Sequence, residues 1–180
     1  MPETMKQFRE WTSTLREDVE TLKEVVEAGS ADRDARRYAA AALNYLLTRM
    51  DLVPDWEESI GILDDVLVIR ALADLAMQKG VDEAVSTDVQ VELARLTNEA
   101  ERGREWLGDE LWTKFSKHTA SLVDQSVRGR SASILVDDES ARKSAYVELE
   151  EHIKGLPGHT FSDADDVEVR FKAYIQHKLK

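Results

Sequence analysis

The chain reads Met-Asp-Leu-Val-Pro-Asp-Trp over residues 50–56 and Gly-Ile-Leu-Asp-Asp-Val-Leu-Val-Ile over residues 61–69. This stretch places four aspartates and a proline beside the most apolar segment of the sequence. Because Pro54 disfavours a continued helix, a loop is predicted there, followed by a helix from near Leu63 to Gly80. Apolar residues surround most of that helix, which predicts a central helix buried by neighbours on several sides.

Helical periodicity continues on both sides of this stretch. Apolar residues spaced three and four apart predict one long helix from about Phe8 to Val26, ended by Gly29 and Ser30. Further helices are predicted over about 32–49, 88–106, 109–127, 138–154 and 162–178. We therefore expect an all-α, single-domain bundle of about six or seven helices with a buried central helix.

The predicted bundle occupies residues 1–127 and contains the acidic stretch and its helix at about 45–79. The run Arg-Gly-Arg-Ser at 128–131 interrupts the helical pattern, so residues 128–137 are predicted to be a linker. Residues 138–180 are predicted to form a C-terminal helical pair packed on the bundle.

The composition excludes several classes of function. The chain has 36 acidic residues against 24 Lys and Arg, and its formal net charge of −12 opposes nucleic-acid phosphates and anionic lipid surfaces. It has no cysteine, which rules out disulfides, thiolate catalysis, zinc–thiolate sites and iron–sulfur clusters. Nucleic acid is therefore not expected as a partner.

Targeting segments are also not predicted. The first 16 residues lack the uninterrupted apolar core of a secretory signal, so we expect a cytoplasmic protein. The best candidate for a membrane span, Ile60 to Met77, contains Asp64, Asp65, Arg70 and Asp74. Each charge at the centre of a span costs roughly 2.5–3.5 kcal/mol, so no integral span is expected.

The candidate metal ligands are Asp51, Asp55, Asp64 and Asp65. A proline loop and the first turn of the next helix can bring these carboxylates together, and Mg²⁺, Ca²⁺ and Mn²⁺ prefer such oxygen ligands. A structural role is the favoured interpretation, with Asp51 and Asp55 closing turns and the Asp64–Asp65 pair at the positive end of a helix. We therefore expect no cofactor, with a divalent metal as the alternative.

Trp56 is the candidate partner-binding residue, because it lies in the acidic loop rather than on a helical stripe. It either packs the loop onto the bundle or anchors a partner, since tryptophan is enriched at binding hot spots. Glu57 and Glu58 add acid to the same loop, but no nucleophile or oxyanion-hole motif accompanies them. No catalytic residue is assigned.

The acidic stretch resembles the core of the YkvA-like family, a bacterial domain of unknown function. The resemblance rests on Leu-Leu-Thr-Arg-Met-Asp-Leu-Val-Pro-Asp at 46–55 and Ile-Gly-Ile-Leu-Asp-Asp-Val-Leu-Val at 60–68, and it covers about residues 45–79. The family pattern is Asp-Leu-Ile-Pro-Asp, a short spacer, Gly-x-Leu-Asp-Asp and an apolar helix. The resemblance implies a small helical module, often treated as membrane-associated, with no established activity, substrate or cofactor.

The spacer of this chain departs from the family pattern. It is Trp-Glu-Glu-Ser-Ile at 56–60, where the family commonly has apolar residues and a second proline. The acidic replacement argues against membrane association and favours a soluble form in which the motif closes a loop within a larger bundle.

These features predict a non-enzymatic bacterial cytoplasmic protein that acts through an unidentified protein partner, as an interaction, accessory or regulatory module. One alternative is a divalent-metal site built from the four aspartates, with hydrolytic activity. A second alternative is a peripheral membrane protein.

Overall fold

The computed structural model describes residues 3–48, 52–53, 57, 60–156 and 166–180. Within these ranges the fold is all-α, as the sequence predicts, with nine α helices and one short β hairpin. The helices are α1 (Glu3–Ser13), α2 (Leu15–Glu27), α3 (Arg33–Tyr45), α4 (Leu63–Lys79), α5 (Thr87–Leu107), α6 (Asp109–Ser121), α7 (Ala132–Asp137), α8 (Glu139–Gly155) and α9 (Asp166–Lys178). The hairpin pairs β1 (Ser126–Val127) with β2 (Arg130–Ser131) in antiparallel fashion.

Helix α4 is the centre of the bundle. Its residues from Leu63 to Ala73 are all buried, and it packs against α1, α2, α3, α5 and α6. A helix that is apolar on every side is stable only when neighbours cover every side. Gly80 ends the helix with a φ of 103°, a conformation that residues with a side chain rarely adopt.

Helix α3 packs against α2, α4 and α7. Asp32 caps its start, with one carboxylate oxygen accepting hydrogen bonds from the amides of Asp34 (2.8 Å) and Ala35 (3.3 Å). The four alanines from Ala39 to Ala42 are all buried. Their small side chains let the neighbouring helices approach α3 closely.

The predicted long N-terminal helix is two helices, because α1 and α2 meet at Thr14. The Thr14 hydroxyl donates to the carbonyl of Trp11 (3.2 Å) and lies 3.2 Å from a carboxylate oxygen of Asp18. A threonine side chain that bonds the preceding turn often bends a helix. Thr14 also lies next to Arg70 of α4, whose guanidinium is 3.3 Å from the hydroxyl.

Residues 128–137, predicted as a linker, are instead folded against the bundle. Arg128 and Gly129 both have positive φ angles, 50° and 79°, and they form the two-residue turn between β1 and β2. Helix α7 follows at once and packs on α3, burying its residues Ala132, Leu135 and Val136. The arginine–glycine pair therefore forms a tight turn.

The last two helices contact different parts of the molecule. Helix α8 packs against α7, and its Tyr146 ring lies 5.0 Å from the ammonium of Lys23 in α2. Helix α9 buries Val167, Phe171 and Ile175, and Phe171 reaches the rings of α1 and α5. No helix of the described ranges combines the length and the apolarity that a membrane crossing requires.

Candidate functional site

The acidic loop, residues 51–59, leads into the first turn of α4. That turn carries Asp64 and Asp65, and both are buried, with only 0% and 4% of their surface exposed. The residue that precedes α4, Ile62, supplies no side-chain cap. Negative charge in the first turn is stabilised by the unpaired amides and the helix dipole, so both aspartates suit this position.

Asp64 joins the end of α3 to the loop. Its Oδ2 accepts a hydrogen bond from the Tyr45 hydroxyl at 2.7 Å and another from the Val53 amide at 3.2 Å. The Tyr45 oxygen in turn accepts from the Leu52 amide at 3.0 Å. We call these four residues the Tyr45–Asp64 clasp. It holds residues 52 and 53, which are also buried, against the bundle.

The electrostatics of the clasp keep Tyr45 protonated. Burial raises the pKa of the Tyr45 hydroxyl well above its ordinary value, and the negative charges of Asp64 and Asp65 raise it further. A protonated hydroxyl can donate to Asp64 while its oxygen accepts from Leu52. The chemistry of this arrangement is that of a rigid hydrogen-bonded anchor.

The structure places the predicted metal ligands as follows. Asp64 and Asp65 lie side by side at the start of α4, whereas Asp51 and Asp55 fall outside the described residues, as does Trp56. Nowhere in the described ranges do three histidine, aspartate or glutamate side chains group as a metal site would require. One oxygen of Asp64 already accepts two hydrogen bonds, which a metal ion would have to displace or share.

Glu57 is the third described residue of the acidic loop, after Leu52 and Val53, and it is bound by α9. Its Oε2 accepts from Arg170 at 2.7 Å, and its Oε1 accepts from the Tyr174 hydroxyl at 3.0 Å. Both of its carboxylate oxygens are thus engaged by the C-terminal helix. Periodicity could not reveal this contact, since the partners are more than 110 positions apart in the sequence.

A second polar cluster, also not predicted from the sequence, lies inside the bundle. Arg70 of α4 is fully buried and bonds Glu99 of α5 at 2.8 Å, Asp18 of α2 at 3.3 Å and the carbonyl of Val66 at 3.0 Å. Arg95 of α5 binds both Asp18 and Glu99. We call Asp18, Arg70, Arg95 and Glu99 the buried ion network.

The network balances two positive charges with two negative ones. Burial lowers the pKa of Arg70, and the neighbouring Asp18 and Glu99 oppose that shift. The guanidinium of Arg70 also lies 4.7 Å from the centre of the Trp11 ring, a favourable cation–π distance. The sequence signal for this network is an arginine within the most apolar helix, because such a charge needs a buried partner.

Comparison with known proteins gives no match: no family model, curated protein or solved structure is significantly similar to this chain. The resemblance to the YkvA-like family thus stays a prediction from the motif residues alone.

Proposed function

We propose that this chain is a non-enzymatic bacterial cytoplasmic module that presents its acidic loop to a protein partner, in an accessory or regulatory role. The observation that supports this proposal is the Tyr45–Asp64 clasp. It turns the Asp64 carboxylate inward, where it fastens the loop to the bundle, while Glu57 stays at the surface. The loop is thus fastened to the bundle at its described residues 52, 53 and 57.

The charge of the loop favours a partner with a basic surface. Residues 51–59 contain Asp51, Asp55, Glu57 and Glu58 and no lysine or arginine, within a chain of net charge −12. Such a surface attracts a basic protein surface and repels nucleic acid and anionic lipid. Trp56, in the middle of the loop, is the residue best suited to anchor that partner, because tryptophan dominates many binding hot spots.

Photo-crosslinking in the native cells tests this proposal. A photoreactive residue at Trp56 is expected to give a discrete adduct with a basic protein. The control position is Val147, which is 63% exposed on α8, and no such adduct is expected there. The adduct should fade in an Asp55→Lys, Glu58→Lys variant, which neutralises the net charge of residues 51–59 without touching Glu57. The same adducts from both positions, or none from Trp56, would contradict the proposal.

The metal alternative makes a different prediction at the same residues. A site that uses Asp64 requires this carboxylate to bind Mg²⁺, Mn²⁺ or Ca²⁺ in addition to, or in place of, the Tyr45 hydroxyl and the Val53 amide. Calorimetric titration of the chelator-treated protein checks it beside Asp64→Asn, which keeps an oxygen acceptor. Saturable binding that the folded variant loses would replace the interaction proposal with a metal site.

A further inference from the structure

Helix α9 covers an aromatic surface next to the acidic loop. Phe171 stacks on Trp106 of α5 with ring centres 5.3 Å apart and meets Phe8 of α1 edge-on at 5.5 Å. Phe8 also contacts Trp106 and Trp11 edge-on, at 5.1 and 5.0 Å. Phe171 is thus the apolar anchor of α9, seated among rings of two other helices.

Polar contacts on both sides of Phe171 fix the position of α9. Trp106 donates its indole N–H to Glu168 at 2.7 Å, and its backbone carbonyl accepts from Lys172 at 2.9 Å. Arg170 and Tyr174 reach the other way, to Glu57 of the acidic loop. One short helix therefore links the aromatic surface to the loop that the proposed function assigns to a partner.

The packing of α9 suits a helix that can detach. Only Val167, Phe171 and Ile175 are fully buried, at positions four residues apart on one face. Among the described elements none packs its backbone extensively along α9. The Arg170–Glu57 pair is partly exposed, at 43% and 25% of its side chains, so solvent and salt weaken it. Elements attached in this way open before the core does.

Glu57 can serve only one binding partner at a time. Recognition of a carboxylate by a partner's arginine is strongest when the guanidinium engages both oxygens. In this structure Arg170 occupies Oε2 and Tyr174 occupies Oε1. A basic side chain from outside must therefore displace both α9 contacts to bind Glu57 in this manner.

We propose that α9 is an autoinhibitory strap, which holds Glu57 until an arginine-bearing partner takes that carboxylate over. This inference rests on the proposed function, since it concerns the regulation of the same loop. Thermodynamic linkage makes the effect reciprocal: release of α9 strengthens binding at the loop, and binding at the loop loosens α9.

A hexa-arginine peptide is a defined probe for this competition. Its affinity is measured for the full chain and for an Arg170→Ala, Tyr174→Phe variant, which frees Glu57 and keeps the Phe171 anchor. We expect the variant to bind at least about fivefold more tightly, the lower end of usual coupling between sites. The control, Lys178→Ala, removes one positive charge from an exposed position of α9 and should change the affinity much less.

Two further readouts separate competition from simple charge attraction. Adding Glu57→Gln to the variant should abolish the gain in affinity. In the unaltered chain, saturating peptide should speed amide hydrogen exchange in α9 while exchange in α4 stays unchanged. Equal affinities of the double variant and Lys178→Ala, or α9 exchange that saturation leaves unaltered, would overturn the strap.

The two proposals can fail separately. If crosslinking from Trp56 finds no partner while the peptide competes with α9, the strap stands without the proposed physiological partner. If crosslinking finds a partner while the double variant and the exchange show no competition, the strap alone is wrong.

Discussion

Asp64 is fully buried beside a second carboxylate, a position that a charged group tolerates only when hydrogen bonds replace its lost water. The Tyr45 hydroxyl and the Val53 amide supply two of those bonds. Removing the acceptor leaves both donors buried, and an unsatisfied buried donor costs more than the bond contributes. Substitution of Asp64 is therefore expected to weaken the attachment of the acidic loop to the bundle.

Asp64→Ala should lower the free energy of unfolding by about 1–3 kcal/mol, because the Tyr45 and Val53 donors lose their acceptor. Urea denaturation at neutral pH measures this loss. Asp64→Asn is the matched control and should cost less, since its oxygen still accepts. A double-mutant cycle with Tyr45→Phe should give a coupling of about 0.5–3 kcal/mol, as for residues in direct contact. Additive losses would show that the two side chains do not act together.

Alkaline pH should also weaken the clasp. Tyrosine in the unfolded chain ionises near pH 10, whereas the pKa of Tyr45 in the folded chain is raised by burial and by Asp64. Above that pH the folded state holds the proton that the unfolded state releases, so stability falls as pH rises. Below about pH 10 Tyr45 is protonated in both the folded and the unfolded state, so its contribution to stability no longer depends on pH.

The unfolding free energy of the unaltered chain and of Tyr45→Phe, measured from pH 8 to 11, checks this. The Tyr45→Phe chain should be less stable at pH 8 and lose less stability toward pH 11. Tyr38→Phe, which removes a tyrosine outside the clasp, is the control for general alkaline effects. Parallel pH curves for Tyr45→Phe and the unaltered chain would exclude the clasp as the source.

Helices α4 and α5 approach each other where α5 has a glycine instead of a side chain. A Cβ atom at Gly103 would lie 2.7 Å from Cδ1 of Leu67, a fully buried residue of α4. Glycine inside a helix is otherwise unfavourable by about 1 kcal/mol relative to alanine. Close helix packing therefore explains its position in α5.

Gly103→Ala should destabilise the protein, because inserting a methyl group into a packed core typically costs about 1–3 kcal/mol and outweighs the gain in helix propensity. Gly155→Ala is the control, since a Cβ atom there in α8 meets nothing within 4 Å. Thermal unfolding of both variants measures the difference. A Gly103→Ala protein as stable as Gly155→Ala would mean that Leu67 can move aside without cost.

The buried ion network joins α2, α4 and α5. Arg70→Met removes one member and leaves Asp18 in the core with Arg95 as its remaining cation, so we expect a loss of about 3–5 kcal/mol. Adding Asp18→Leu should recover part of that loss, because it removes the buried carboxylate that lost one of its two cations. Chemical denaturation of both variants provides the measurement, and a double variant less stable than Arg70→Met alone would refute the compensation.

Element by element, the sequence predicts long helices well and short or distant features poorly. Helix α4, Leu63–Lys79, follows from its apolar run and from the glycine that ends it. Helix α7 has six residues and each hairpin strand has two, too few for a periodic pattern. The contacts of Glu57 with α9 and the ion network join residues far apart in the chain, and no local pattern identifies which residues are the partners.

The whole molecule carries an excess of negative charge that its surface ion pairs do not neutralise. Self-repulsion at a net charge of −12 destabilises the compact state, and added salt screens it. Exposed ion pairs such as Lys6–Glu3 are also screened, but each contributes little. The repulsion should therefore dominate the response to salt.

Raising NaCl from about 10 to 150 mM at neutral pH should increase the melting temperature, because the Debye length shrinks to about 8 Å. A gain of 1 kcal/mol corresponds to about 2–4 °C in a domain of this size. Calorimetric scans check this, with the same series near pH 4.8, the calculated isoelectric point, as the control that should show little change. A melting temperature that falls with salt at neutral pH would show that ion pairs outweigh the repulsion.

The packing of α3 against α7 has a consequence for synthesis on the ribosome. The Asn44 amide donates to the carbonyl of Arg130 at 3.0 Å across 86 positions of the chain, and α7 covers the alanine-rich helix just beyond that bond. At about 5–20 residues per second, roughly 4–17 s separate the emergence of these two partners. During that interval one side of α3 stays open to water or to a chaperone. A nascent chain stalled before residue 132 would present this uncovered alanine surface, and the bundle cannot close around α3 until translation has passed α7.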